Sequence, residues 1–412
     1  MRVTHLSLSD FRNYRIAEVS FSAGPNLVIG RNGQGKTNLV EAIAYFATLG
    51  SHRVSSDAAL IRAGAEAAIA RMRVAVDSRD VLLEVQLNRD RPNRAQVNRN
   101  GVKPRELTRW FGCVVFAPED LSLVRGDPGI RRRFLDEAVV ARNPSFAGTI
   151  ADYDRVVRQR TTLLKSARGN GNRAAVEETL EIWNAQLVEL GTRIMLARRS
   201  LLASLARPLR DGYEAIVQHD HRPGIVLSES VEAILAKQGV SRETSPSVPI
   251  PAASEESSVR DAASSQVADG PDVSRETLAA RFHSALALAK RQEFERGVTL
   301  VGPHRDDAVF ELNGLPVKGY ASHGESWSFA LALKLSLAAL LRDESPAGDP
   351  VIILDDVFAE LDVRRRNALM SEVGRFEQVI VTAAVEEDVP AGEWHRIRIE
   401  AGVVSEGGDG DA

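Results

Sequence analysis

Cysteine is nearly absent, with Cys113 alone among 412 residues, which excludes an internal disulfide and any multi-cysteine metal centre. A small core residue is its simplest role. Long apolar runs are also missing, because the most apolar stretch, residues 329–341, is interrupted by Lys334 and is too short to span a bilayer. Residues 1–15 mix charged with apolar positions, so neither a secretory leader nor a membrane anchor is expected. A cytoplasmic protein follows. Overall positive charge is lacking too: 52 Lys and Arg face 56 Asp and Glu, a net charge of −4, which argues against a uniformly basic coat but permits a local basic surface.

Charge is unevenly spread. Residues 238–277 carry three Arg against seven acidic side chains, a balance of −4 that accounts for the whole excess. Residues 79–133 carry twelve Arg and Lys against seven acids, a surplus of +5. Any nucleic-acid surface is expected there.

Apolar periodicity predicts strands over 3–8, 17–21 and 26–29 and a helix over 36–49 with Gly50 as its stop. Alternating runs follow over 70–76, 82–87 and 95–98, with Asn100-Gly101 marking a hairpin turn. Helices dominate from about Ser145. A helix over 150–167, a Gly/Asn break at 169–172 and a second long helix predict an antiparallel helical hairpin. The second helix carries a heptad seam through Leu180, Trp183, Leu187, Leu190, Ile194, Ala197 and Leu201 and is expected to end at Pro208. An ordinary amphipathic helix packed on a core is the alternative. Residues 238–271 are rich in Ser, Pro, Ala and acids and predict a disordered insertion. The pentapeptide Val240-Ser241-Arg242-Glu243-Thr244 recurs as Val273-Ser274-Arg275-Glu276-Thr277, in a segment on which protein structure is expected to impose little. A helix is expected over 278–296, and mixed α/β structure returns over 302–399.

The chemistry begins at Gly30-Arg31-Asn32-Gly33-Gln34-Gly35-Lys36-Thr37, followed by Asn38. Two glycines five positions apart and then Lys-Thr, between a strand and a helix, make a P-loop: its backbone N–H groups form an anion nest at a helix N-terminus. Lys36 is assigned to the β- and γ-phosphates of ATP and Thr37 to Mg²⁺. Residues 351–356 form a continuous apolar run ending in Asp355 and Asp356, the pattern of a buried parallel strand delivering carboxylates to its C-terminal edge. Asp355 is assigned to Mg²⁺ through water, and Asp356 to orienting or deprotonating the attacking water. Ser322 precedes a strongly apolar helix and reads as an N-cap. In order with the P-loop and the aspartate strand, Ser322, Gly324 and Glu325 also read as an ABC signature that grips the γ-phosphate held by a second subunit, with Asp362 at the spacing of a D-loop.

These blocks resemble the RecF family of DNA gap-repair proteins, as do Leu6-Ser7-Leu8-Ser9-Asp10-Phe11-Arg12-Asn13-Tyr14 and Phe116-Ala117-Pro118-Glu119-Asp120-Leu121. So do Asp127-Pro128 with residues 131–136, and Val301-Gly302-Pro303-His304-Arg305-Asp306-Asp307. The resemblance covers both ends of the chain. It implies an α/β fold, an ABC-type P-loop ATPase head split in sequence by a short helical arm. The head occupies 1–144 and 301–402, the arm 145–300, and a tail 403–412. It further implies an ATP-dependent homodimer that binds single-stranded or gapped DNA, hydrolyses ATP weakly, works with RecR and RecO to load recombinase, and supports replication restart and SOS induction. Two positions depart from the usual pattern: Glu325 replaces a Gln, and Thr382 stands where many such heads carry a switch His.

For DNA, Arg91, Arg94, Arg99, Lys103, Arg105, Arg131, Arg132 and Arg133 are candidates for phosphate contacts, against a simply solvated Arg-rich face. A chromosome-organising SMC-type ATPase would need hundreds of heptad residues between the halves, and a transporter subunit a signature far closer to its P-loop. An ATP-switched clamp with negligible turnover is a further rival.

Overall fold

The computed structural model describes residues 1–51, 53–54, 56–76, 79–169, 173–237, 239, 274–345 and 348–406. It separates into two units, Met1–Gly148 with Ser200–Ile225 and Phe310–Ala412, and Thr149–Arg199 with Val226–Val309. In chain order the elements begin with β1 (Arg2–Phe11), β2 (Tyr14–Ser20), β3 (Gly24–Ile29) and α1 (Lys36–Thr48). There follow β4 (Ala67–Val76), β5 (Arg79–Asn88), β6 (Arg94–Val97), β7 (Asn100–Val102), β8 (Cys113–Phe116), α2 (Leu121–Arg125) and α3 (Pro128–Arg142). Next come α4 (Phe146–Gly169), α5 (Arg173–Val217), β9 (Gly224–Ser228), α6 (Ser230–Lys237), α7 (Arg275–Arg296), β10 (Asp307–Leu312) and β11 (Leu315–Pro316). The chain closes with α8 (Val317–Tyr320), α9 (His323–Glu344), β12 (Val351–Asp355), α10 (Val363–Val373), β13 (Gln378–Ala383), β14 (His395–Glu400) and β15 (Val403–Glu406).

Two six-stranded sheets build the first unit. One is antiparallel, ordered β2-β1-β4-β5-β6-β7; Ala68, Ala70, Met72 and Val74 of β4 and Val81, Leu83, Val85 and Leu87 of β5 turn inward while their neighbours face out. That alternation suits a sheet with one solvated face. The other is ordered β15-β14-β3-β13-β12-β8 and is parallel except for β15. Its central strands β12 and β13 are buried at every position, as their continuous apolar runs require. Helix α1 shares one core with both sheets, Leu39, Ile43 and Phe46 joining Leu6, Met72, Leu83, Ile353 and Ile380. Parallel pairing sets Ile29 beside Ala383 and Asp355 beside Thr382, with Phe116 beside Leu354. The C-terminal ends of four strands therefore lie side by side, where ligands of open α/β sheets bind.

The second unit is helical, with Tyr153, Val156, Leu187, Ile194, Phe282 and Ala285 in its core. Leu180, Leu187, Ile194 and Leu201, seven residues apart along α5, are all buried. Beside this core, Arg160 donates to Glu293 at 2.5 Å, Thr299 at 3.0 Å and Asn184 at 2.8 Å, and Glu293 also accepts from the Leu300 amide. This buried pair is fully hydrogen-bonded, the condition under which such a pair is tolerated.

Several expectations differ from the structure. Residues Ser200–Ile225 group with the first unit rather than with an arm running 145–300. Helix α5 continues through Pro208, because burial of Leu205, Leu209, Tyr213 and Ile216 outweighs the one lost backbone bond, a cost of about 3 kcal/mol. The β6–β7 turn lies at Asn98-Arg99 (φ 50° and 68°), with Asn100-Gly101 already in β7, since the Asn98 side chain holds the turn by accepting from the Leu82 amide at 2.9 Å. Helix α1 is closed by left-handed Leu49 rather than by Gly50. The second pentapeptide copy has a structural role, Ser274 capping α7 by accepting from the Thr277 amide; the first copy, the Gly/Asn break at 170–172 and nearly all of 238–271 lie outside the described residues. Helix α9 is long and apolar enough to cross a membrane, although its most apolar stretch is short, but most of it is buried inside the protein as a core helix.

Candidate nucleotide site

The loop from Gly30 to Gly35 joins the end of β3 to the start of α1. Gly35 has φ 121°, and a Cβ there would lie 2.6 Å from the Tyr14 hydroxyl, so only glycine fits. Tyr14 donates to the Gly35 carbonyl at 3.0 Å, and the Asn13 amide donates to the Gln34 carbonyl at 3.0 Å. Gln34 also accepts from the Ala401 amide through its side chain. Asn38, one turn into the sequence of α1, donates to Asn13 at 2.8 Å and accepts from Arg53 at 3.0 Å. Glu41, with no exposed surface, is held by Arg12 at 2.8 and 2.6 Å and by the Ser51 hydroxyl. The β1–β2 turn thus clamps the P-loop from outside.

Lys36 is buried; its ammonium donates to the Gly30 carbonyl at 2.8 Å and to Asn32 at 3.3 Å, and lies 3.8 Å from Asp356. Thr37 donates to Asp355 at 3.2 Å, and Thr382 donates to the same carboxylate oxygen at 2.6 Å while accepting from the Asp356 amide at 2.9 Å. Asp356 itself sits in the left-handed region at φ 51°, a conformation disfavoured for a residue with a Cβ. Burial pushes the Asp355 carboxyl up to about 6; the Asp356 and Glu119 charges add to the rise, and the Thr382 and Thr37 hydroxyls oppose it. A cavity of about 210 Å³ opens here, lined among others by Asn32, Pro118, Asp356, Phe358, Glu360 and Thr382. A larger one of about 520 Å³ lies beyond α1, lined by Arg12, Asn13, Asn38, Arg53, Ala59 and Arg89 among others.

The structure therefore brings Lys36, Thr37, Asp355 and Asp356 together from positions more than 300 residues apart in the chain. Thr37 and Asp355 offer hard oxygen donors, which suit Mg²⁺. Sequence reasoning missed Arg12, Asn13, Arg53 and Glu119 as site residues and treated Thr382 only as a departure. Arg31, Asn32 and Gly33 form the exposed crest of the loop, the Arg31 carbonyl accepting from the Gln34 amide.

Ser322 is the N-cap of α9: it accepts from the Glu325 amide at 3.2 Å, and Glu325 accepts from the Ser322 amide at 2.8 Å. Glu325, in place of the Gln, completes a reciprocal capping box. The Ser322 hydrogen bonds hold its carboxyl below the usual range, helped by His221, 3.9 Å away, and by Arg365. A Cβ on Gly324 would lie 3.1 Å from the Arg365 guanidinium, which also pairs with Asp362 at 3.1 Å. Asp362 caps α10 by accepting from the Arg365 amide at 2.9 Å. Gly324 and Asp362 thus both lie against Arg365, whereas among the described residues neither Ser322 nor Glu325 bonds to the P-loop.

Of the basic candidates, Arg94, Arg99, Lys103 and Arg105 are exposed, and Arg91 is exposed while donating to Asn88 at 3.0 Å. Arg131 is buried and donates to the Gly126 carbonyl at 3.0 Å, so it presents no guanidinium to a phosphate. Arg132 is half-buried, and Arg133 is spent partly on the Ser51 carbonyl and Glu137.

Residues 2–399 match the RecF/RecN/SMC N-terminal domain model. A DNA replication and repair protein RecF from Leifsonia xyli subsp. xyli is 55% identical over 98% of this chain and 100% of its own length. The protein of the same description from Streptomyces avermitilis is 49% identical over 95% of each chain. Among solved structures, the recombination mediator protein RecF-ATPrS in the RecFOR pathway superposes with a TM-score of 0.81 at 25% identity, covering 98% of both chains. The corresponding RecF-ATP structure gives 0.79 at 26% identity, covering 98% and 97%. With an ABC-type head split in sequence, a P-loop facing paired aspartates, and relatives matching from end to end, the chain belongs to the RecF family.

Proposed function

We propose that the chain binds and slowly hydrolyses Mg²⁺-ATP, dimerises on ATP, and uses the cycle to act on DNA at single-strand gaps. The observation that carries this is the convergence of Lys36, Thr37, Asp355 and Asp356 on one cavity at the C-terminal sheet edge. Lys36 leaves the Gly30 carbonyl for the phosphates, whose charge replaces that of the Asp356 carboxylate. Thr37 and Asp355 would hold Mg²⁺, which when bound would supply positive charge against the developing negative charge of phosphoryl transfer. Asp356, freed from Lys36, orients the attacking water and accepts its proton. The larger cavity beyond Asn38 takes the base and ribose, and Arg12 and Arg53 supply donors there. Because Ser322 bonds to nothing in its own P-loop, it serves the nucleotide of a second subunit.

The names of the RecF relatives support a role in DNA replication and repair, and that of the RecFOR structures supports RecR and RecO as partners. Recombinase loading, replication restart and SOS induction extend the same reading. An SMC-like organiser is disfavoured because α4 and α5 span only 24 and 45 residues. Phosphate release with and without gapped DNA tests the proposal. Turnover that needs Lys36 supports it. ATP binding and dimerisation with no measurable release would leave an ATP-switched clamp instead.

A further inference from the structure

Residues 89–109 hold seven Arg and Lys against two acidic side chains, a surplus of +5 within a chain of net charge −4. They form the β6–β7 hairpin and a 3-10 turn, Pro104–Arg109, that leads into β8. The segment runs from β7, at the edge of the antiparallel sheet, towards β8, at the edge of the parallel one. Arg94, Arg99, Lys103, Arg105 and Arg109 are all exposed, and none makes an ion pair among the described residues. Elsewhere on the same sheet Arg71 is paired with Glu84, and the other exposed cations unpaired among the described residues, Arg15, Arg73 and Arg79, are spread over three strands rather than gathered in one segment. The left-handed turn at Asn98 and Arg99 carries an Arg where glycine would be easier, and so presents a guanidinium at the hairpin tip.

Trp110 closes this segment. It is 41% exposed, although an indole of this size is ordinarily mostly buried. An exposed aromatic carried on the same segment as unneutralised cations is the combination that binds single strands: cations track the phosphates and the ring stacks a base. Duplex bases are already stacked on each other and offer no free face. An acidic protein surface would use the cations but has no planar partner for the ring.

We propose that Trp110, together with the exposed cations Arg99, Lys103, Arg105 and Arg109 of the same chain segment, is a stacking platform for single-stranded DNA. This rests on the DNA-binding reading above and names the form of DNA that this surface takes.

The test uses the full-length chain with Mg²⁺-ATP, a labelled oligo(dT) of about 20 nucleotides, and a blunt duplex of the same length. Trp110→Ala weakens oligo(dT) binding about 5- to 160-fold, the range for loss of one stacking aromatic, and changes duplex binding less than twofold. Trp110→Phe keeps the ring and restores most of the affinity, with nucleotide binding as the check on folding. Arg99→Ala combined with Lys103→Ala weakens oligo(dT) and lowers the salt slope by about 1.4, about 0.7 for each lost contact. Unchanged oligo(dT) binding by Trp110→Ala, or an equal loss on duplex, overturns the platform while leaving DNA binding itself intact. If the unaltered protein binds neither probe, the DNA-binding reading fails as well.

Discussion

Replacing Thr382 by Val removes one hydroxyl at nearly constant shape, and that hydroxyl makes two bonds in the site. It donates to the Asp355 carboxylate at 2.6 Å and accepts from the Asp356 amide at 2.9 Å. The first, to a charged group, is worth about 1.5–3 kcal/mol, and the second about 0.5–1.5 kcal/mol. Neither bond touches Lys36 or the loop amides, so at saturating Mg²⁺ nucleotide binding is expected to stay within about twofold. What changes is the aim of Asp356, the carboxylate proposed to orient the attacking water, because the amide that fixes its left-handed backbone loses its acceptor. If about 2 kcal/mol of that loss falls on the transition state, kcat drops about 30-fold at nearly constant KM. Thr382→Ser keeps both bonds and restores turnover. Steady-state phosphate release with nucleotide titration reads the split directly. Turnover within twofold of the unaltered protein would refute the reasoning, as would a loss carried entirely by KM.

Other expectations follow from the same geometry. Asp356→Asn keeps the binding groups and loses water activation, so it accumulates the ATP-bound dimer in gel filtration, whereas Asp355→Ala raises the Mg²⁺ concentration needed for nucleotide binding. Arg131→Ala removes one of two donors to the Gly126 carbonyl, Lys318 being the other, and the loss of that charge-assisted hydrogen bond lowers stability by about 1.5–3 kcal/mol in urea unfolding, with DNA affinity unchanged. Burial raises the Asp306 carboxyl from 3.8 to about 6, with the Glu229 charge adding to the rise. Between those values the folded chain binds more protons than the unfolded one, so stability falls as pH rises from about 4 to 6, by up to ~3 kcal/mol. Asp306→Asn removes its share of that slope in urea unfolding at the two pH values, while the similarly raised Asp355 keeps its own.

The P-loop and the aspartate strand were legible because local pattern alone specifies them: a glycine nest between strand and helix, and an apolar run ending in acids. The clamp around the P-loop was not. Arg12 and Asn13 reach α1 from the β1–β2 turn and Arg53 from beyond the end of α1, and only folding shows that Glu41 gathers the two arginines. Thr382 was noted for what it replaces, while its bonds depend on β13 lying beside β12. Arg131 shows the reverse limit, since three consecutive Arg on α3 read as one basic group while the helix turns the first into the protein. Pro208 and Asn98-Arg99 show tertiary burial and a side-chain bond overriding local propensity.

In the proposed dimer each active site is built from two subunits, the P-loop of one and Ser322 of the other. Lys36→Ala and Ser322→Arg then each abolish turnover alone. Mixed in equal amounts and allowed to exchange, they form heterodimers in which one site carries both lesions and the other neither. Random pairing makes half the dimers mixed, each with one of its two sites intact, so about a quarter of the unaltered activity returns if the sites act independently. No recovery across the mixing series, with subunit exchange confirmed separately, would contradict the shared site and place each complete site within a single chain.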